Sequence, residues 1–194
     1  MKALVVLCLV AGVAHADDDD DDNPHRRTHT RLFGFHFGGG KLPIHDTDLE
    51  ATGLGLTVEH RVKGDLRVAG TYEYLFLGIE DPDDENKMLT SGSGHRAELA
   101  LHYPFAATKI LMKNLRLFVD AELGAALLVG STTQTGTLVD AQAFVGLRFG
   151  YDIIKLRDDT KASPVWEPTV FVRAVATDTN AIGYMGGIGM YWGD

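Results

Sequence analysis

The chain has 194 residues, 45% hydrophobic and 23% charged, with a formal net charge of −9 and one cysteine. That length suits one domain with a sizeable core, and the acidic balance argues against nucleic acid as a partner. Cys8 is the only thiol, so no disulfide or cysteine-ligated metal centre is expected, and no cofactor.

The chain opens MKALVVLCLVAGVAHA. Lys2 is a short positive start, Ala3 to Val13 an apolar stretch too short to span a bilayer, and Ala14-His15-Ala16 a small-residue cleavage site. Residues 1–16 therefore read as a secretory signal. Asp17 to Asp22 supply six of the negative charges, and 17–29 reads as an acidic, disordered leader. Residues 30–194 form the remaining domain.

From there the apolar period is two. RLFGFHFGG (31–39) places Phe33, Phe35 and Phe37 on one face. The second run, 53–62, sets Leu54, Leu56 and Val58 against Gly53, Gly55, Thr57, Glu59 and Arg61. The third, 66–77, sets Leu66, Val68, Tyr72, Tyr74 and Phe76 against Arg67, Ala69, Thr71, Glu73 and Leu75. The fourth, 95–103, sets Ala97, Leu99, Leu101 and Tyr103 against Arg96, Glu98, Ala100 and His102.

The fifth, 115–128, opposes Leu115, Leu117, Val119, Ala121, Leu123, Ala125 and Leu127 to Arg116, Phe118, Asp120, Glu122 and Gly124. The sixth, 138–151, opposes Val139, Val145, Leu147, Phe149 and Tyr151 to Asp140, Gln142, Phe144, Gly146 and Arg148. The seventh, 169–176, carries Val170, Val172, Ala174 and Ala176 against Phe171, Arg173 and Val175. The eighth, 182–192, carries Ile182, Tyr184, Ile188, Met190 and Trp192 against Gly183, Met185, Gly187, Gly189 and Tyr191.

These are eight predicted strands of about 8 to 14 residues, close to the roughly 9 to 11 that a tilted transmembrane strand needs. GGGKLP, KGD, EDPDDENK, GSTTQTG, RDDTKASP and TDTN read as the breaks between them. Residues 104–114 and 152–165 read as long inner turns, and 177–180 as a short outer loop. Eight antiparallel strands without helices close on themselves, because an open sheet leaves two edges.

Alternation does not say which face is inside. Glu59, Arg61, Arg67, Glu73, Arg96, Glu98, Arg116, Asp120, Glu122, Asp140, Arg148 and Arg173 occupy the polar face, six cations against six anions. Such a balance suits an enclosed lumen, where each charge needs a partner. Facing lipid, each Arg at mid-membrane would cost about 2–4 kcal/mol. Every cation on that face is Arg, the better former of bidentate enclosed pairs, while the lysines fall in turns and their margins. Glycine on the same face makes room for large neighbours in a narrow barrel.

The apolar face is interrupted only by His60. Its aromatics form two girdles: Tyr103, Phe149, Tyr151, Trp166 and Trp192 at the inner end, Tyr72, Tyr74, Phe76 and Tyr184 toward the outer rim. The fold class is thus an all-β, eight-stranded, antiparallel, up-and-down transmembrane barrel with a charged Arg/Glu/Asp lumen. His36 and His102 point into it beside Glu98 and Arg96.

With its alternating ending Tyr184, Ile188, Met190 and Trp192, the chain resembles the small eight-stranded outer-membrane barrels of the OmpA and OmpX type. That resemblance covers roughly 30–194. It implies a monomer in the bacterial outer membrane, with outer-membrane lipid and the barrel-insertion machinery as partners. It implies a structural or surface-interaction role with at most a narrow pore.

The competing reading is a soluble, secreted lipocalin-like barrel whose Phe33, Phe35 and Phe37 line an apolar cavity. Enzymatic chemistry finds little support. The four serines sit in predicted loops, no Ser–His pair is visible, and GLGLTV and SGSGH match neither a dinucleotide loop nor a nucleophile elbow. EDPDDEN lacks the glycine of a calcium loop.

Overall fold

The structure, a computed structural model, describes residues 31–44, 47–63, 66–81, 84–112, 115–133, 135–153, 165–179 and 181–193. Within these the side chains of 80–91, 105–112, 115–116, 152–153 and 165 are not described. The expected signal and leader (1–29) lie outside the described residues.

Eight strands form one closed barrel in chain order, each antiparallel to the next. They are β1 (Arg31–Ile44), β2 (Thr47–Lys63), β3 (Leu66–Asp81), β4 (Asp84–Met112), β5 (Leu115–Thr132), β6 (Gly136–Ile153), β7 (Val165–Ala176) and β8 (Ile182–Gly193). β8 returns to β1 and closes the wall, pairing from Leu32↔Gly193 to Lys41↔Tyr184.

The strands are longer than the alternation predicted, from 12 residues in β7 and β8 to 29 in β4. The reason is that several expected breaks are paired backbone. Gly38, Gly39 and Gly40 of GGGKLP lie inside β1, bonded on both sides. EDPDDENK is mostly hairpin: β3 runs to Asp81 and β4 begins at Asp84, with register shifts at Glu80. Residues 104–112 belong to β4, with a shift where Pro104 lacks a donor, so pairing continues to Met112↔Leu115 where a long inner turn was expected. Ser91, Ser93 and Ser131, expected in loops, stand in β4 and β5.

GSTTQTG does turn the chain. β5 ends at Thr132, whose Oγ1 accepts from the Thr135 amide at 3.0 Å, and Gly136 starts β6 with φ 67, a left-handed conformation open to glycine. The 177–181 turn is short as expected, closed by Thr177 N–H donating to the Ala181 carbonyl at 3.1 Å.

The pleat sorts the faces sharply. Phe33, Phe35 and Phe37 are 47, 50 and 50% exposed, while the alternate residues Leu32, Gly34 and His36 are buried. Leu54, Leu56, Leu99, Leu127, Val170 and Ile188 likewise face outward. The opening triplet therefore lines the outer wall, and the interior cavity that the lipocalin-like reading assigns to it is not what it lines.

Candidate functional site: the barrel interior and its outer wall

Inward positions carry two chemistries in succession. Around the middle and toward the end that holds the first residue of β1 and the last of β8 lie the charges. Among the described residues Arg67, Arg96, Arg148 and Arg173 are buried with Glu59, Glu73, Glu98, Asp120, Glu122, Asp140 and Glu167, together with His36 and His102.

Glu59 of β2 is one hub. Its carboxylate accepts from Arg67 Nη1 at 2.9 Å, Arg148 Nη1 at 2.7 Å and Arg148 Nη2 at 3.3 Å, and meets His102 Nδ1 at 2.8 Å. Arg148 also donates to Asp120 Oδ2 at 2.6 Å. Arg96 of β4 is the other hub, donating to Glu73 at 2.6 Å, Glu98 at 2.7 Å and Gln142 at 2.8 Å. Arg173 of β7 bridges Glu98 and Glu122, each at 2.9 Å. His102 Nε2 lies 3.3 Å from Glu122 Oε1, so the ring stands between the two halves.

Guanidinium planes also lie against rings. Arg173 sits between Phe144 and Phe171, 4.7 and 4.6 Å from their centroids, and Arg148 lies 5.1 Å from Tyr191. His36 of β1 bonds Glu73 at 2.6 Å. Every strand thus contributes to one connected interior network, β8 through Tyr191. Small residues seat it: a Cβ on Gly55 would overlap the His36 ring, and one on Gly124 the Phe144 ring.

Several predicted members stand elsewhere. Among the described residues Asp140 bonds no arginine directly. It accepts from Gln142 Nε2 at 2.8 Å and the Asp178 amide at 3.1 Å, and reaches Arg96 only through Gln142. Arg61 is half-buried at the end of β2, where the register to β3 shifts. The side chain of Arg116 lies outside those described. His36 and His102 do face inward, but their partners are Glu73, Glu59 and Glu122 rather than Glu98 and Arg96. Glu167 and Tyr191, both fully or nearly buried, join the interior without having been singled out.

The charged lumen is as expected, with Arg67, Arg96, Arg148 and Arg173 buried among carboxylates, but the charges do not run its whole length. Toward the other end the same face turns apolar: Leu42, Ile44, Leu49, Leu75, Leu77, Leu128, Leu138, Val175 and Met185 pack into one buried cluster. These residues stand near the 45–46, 82–83, 133–135 and 177–181 turns. They form a hydrophobic plug above the ion pairs.

Outside, the girdle residues Tyr72, Tyr74, Phe76, Phe149, Tyr151, Trp166, Tyr184 and Trp192 are all exposed, and Tyr103 is partly so. Because β3 extends to Asp81, Tyr72 lies near its middle and not at the rim. Trp166 and Trp192 lie 6.3 Å apart at the inner end, their rings tilted by 37°. His60 is not alone on the outer face. His95 stands there too, its Nδ1 2.6 Å from Tyr72 Oη and its ring stacked on Tyr72. Ser93 shares that face of β4, yet among the described residues no hydrogen bond joins a serine to a histidine.

No protein-family model matches the sequence, and no curated protein matches it. Among solved structures, the crystal structure of Neisserial surface protein A is similar with a TM-score of 0.53 and 11% identity, over 84% of this chain and 97% of that one. The fold is that of a small eight-stranded outer-membrane barrel. The attachment invasion locus protein of Yersinia pestis also matches, at TM-score 0.45 and 11% identity over 86% of this chain and 99% of that one. At these identities the outer-membrane-barrel likeness extends to architecture alone.

Proposed function

We propose that the protein is a non-enzymatic barrel inserted as a monomer in the bacterial outer membrane, delivered by export on the 1–16 signal and by the barrel-insertion machinery. Its role is structural or surface-interacting. The observation that carries this reading is the inversion of an ordinary globule: large apolar and aromatic side chains outside, ion pairs inside. In water the outer wall would be an apolar patch far larger than a soluble monomer tolerates. In a bilayer it is the solvent-matched surface, and the closed ladder leaves no backbone edge in lipid.

The interior argues against a wide pore. Arginine–carboxylate pairs cross it at one level and the leucine cluster fills it at another. Since the outer turns are short, any surface interaction falls to the hairpin tips and the rim.

Fractionation of expressing cells tests the proposal, with unboiled and boiled samples run side by side. Recovery in the outer membrane with a mobility shift on boiling is the expected result. A soluble band without a shift overturns it.

A further inference from the structure

A groove of about 780 Å³ is cut into the outer wall across β5, β6, β7, β8 and β1. That volume falls among pockets that take small ligands, about 300–1,000 Å³. Register explains its shape. Phe37↔Ile188, Ile188↔Val170 and Val170↔Phe149 run side by side across four strands, so aromatic walls on β1 and β6 flank an aliphatic floor on β8 and β7. One step lower, Phe35↔Met190 and Met190↔Pro168 repeat the pattern. Pro168 has no N–H to give β6, and the β6–β7 ladder is interrupted between Gly150↔Thr169 and Ile153↔Trp166.

We infer that this groove holds an acyl chain of a membrane phospholipid as a site of its own, distinct from the general lipid contact of the wall. The inference rests on the membrane-barrel reading above. The lining is hydrocarbon and aromatic apart from the hydroxyls of Thr169 and Tyr151, which suits a chain better than a polar ligand. The groove descends to Tyr151 and, through Phe35, to Trp192, 6.0 Å from that ring. Phenol and indole there meet the ester and headgroup level, where such amphipathic rings reside. The chain's own remaining segments do not match: 17–22 is all aspartate, 154–164 carries Lys155, Arg157, Asp158, Asp159 and Lys161, and the apolar 3–13 belongs to the expected signal, which is removed on export.

The two tryptophans of the chain, Trp166 and Trp192, are the probe. Phosphatidylcholine with a brominated chain is titrated into the barrel in maltoside micelles and tryptophan fluorescence is followed. The wild type is expected to show quenching that saturates near one lipid per barrel. Val170→Phe with Ile188→Phe, which fills the floor, should need several-fold more lipid for the same quenching. Phe149→Ala, which removes a wall without adding bulk, should do likewise.

Superimposable, unsaturating curves for wild type and both variants overturn the inference. So does a dimer in micelles that the filled variant converts to monomer, since a second copy then occupies the groove. Flotation with phosphatidylcholine vesicles is scored separately: a barrel that fails to float removes the membrane reading itself.

Discussion

Arg148 and Glu59 are 89 positions apart in sequence, yet Arg148 Nη1 donates to Glu59 Oε2 at 2.7 Å across the interior, from β6 to β2. In an eight-strand barrel those strands stand opposite one another, so the pair braces the wall like a strut. Glu59 simultaneously receives Arg67 and His102.

Removing the shared carboxylate strands these donors away from water. Glu59→Gln, nearly the same shape, should destabilise the folded barrel by about 3–5 kcal/mol. Urea unfolding in lipid vesicles, followed by tryptophan fluorescence, measures it. Arg148→Met added to Glu59→Gln should recover part of the loss, because one of the stranded cations is then gone.

The leucine plug predicts electrical silence. In planar bilayers the wild-type barrel should give no stepwise conductance. Joint replacement of Leu42, Leu128 and Met185 by Gly, which empties the buried cluster, should produce channels only when the ion-pair level is opened as well, as by adding Arg148→Ala. Steady wild-type channels would show that the plug does not seal.

Phe35, half exposed on the outer wall, should resist charge. Phe35→Arg is expected to cost about 1–2 kcal/mol, less than at mid-membrane because its ring lies 6.0 Å from Trp192 of the inner girdle. Phe35→Leu should be nearly silent. Comparing unfolding midpoints of both variants in vesicles checks this.

Tyr72 gives His95 its Nδ1 partner in a largely apolar surface. Tyr72→Phe should therefore cost about 0.5–1.5 kcal/mol, the net worth of one hydrogen bond. His95→Phe with Tyr72→Phe should restore much of that, since neither polar atom then remains. A double-mutant unfolding cycle reads the coupling.

The faces of the strands were legible because a period of two needs no knowledge of partners: Phe33 to Phe37, Arg96 with Glu98, and Arg173 all point as their parity dictates. Strand ends were less so, because glycine and proline were read as punctuation. Gly38–Gly40 and Pro104 instead sit in paired backbone, the glycines bonded to strands on both sides and Pro104 at a register shift. Cross-barrel partnerships such as Arg148 with Glu59 depend on closure and on stagger, which no single strand encodes. The apolar plug was not legible because Leu75, Val175 and Met185, though assigned to the inward face, meet only when the barrel closes. His95 escaped because it opened its run and was never assigned a side.

The β1–β8 seam sets the order of assembly. Its partners, such as Phe33 and Trp192, are drawn from the two ends of the described chain. Until β8 arrives, β1 and β7 are open edges with unpaired amides, and the struts between opposite walls lack their final geometry. Closure is thus the latest and longest-range event, and a chain cut short before Ile182 keeps all the interior charges without the ring that lets them meet. Such a fragment should be a substrate for proteolysis, whereas a nick in an outer hairpin would leave the cylinder standing.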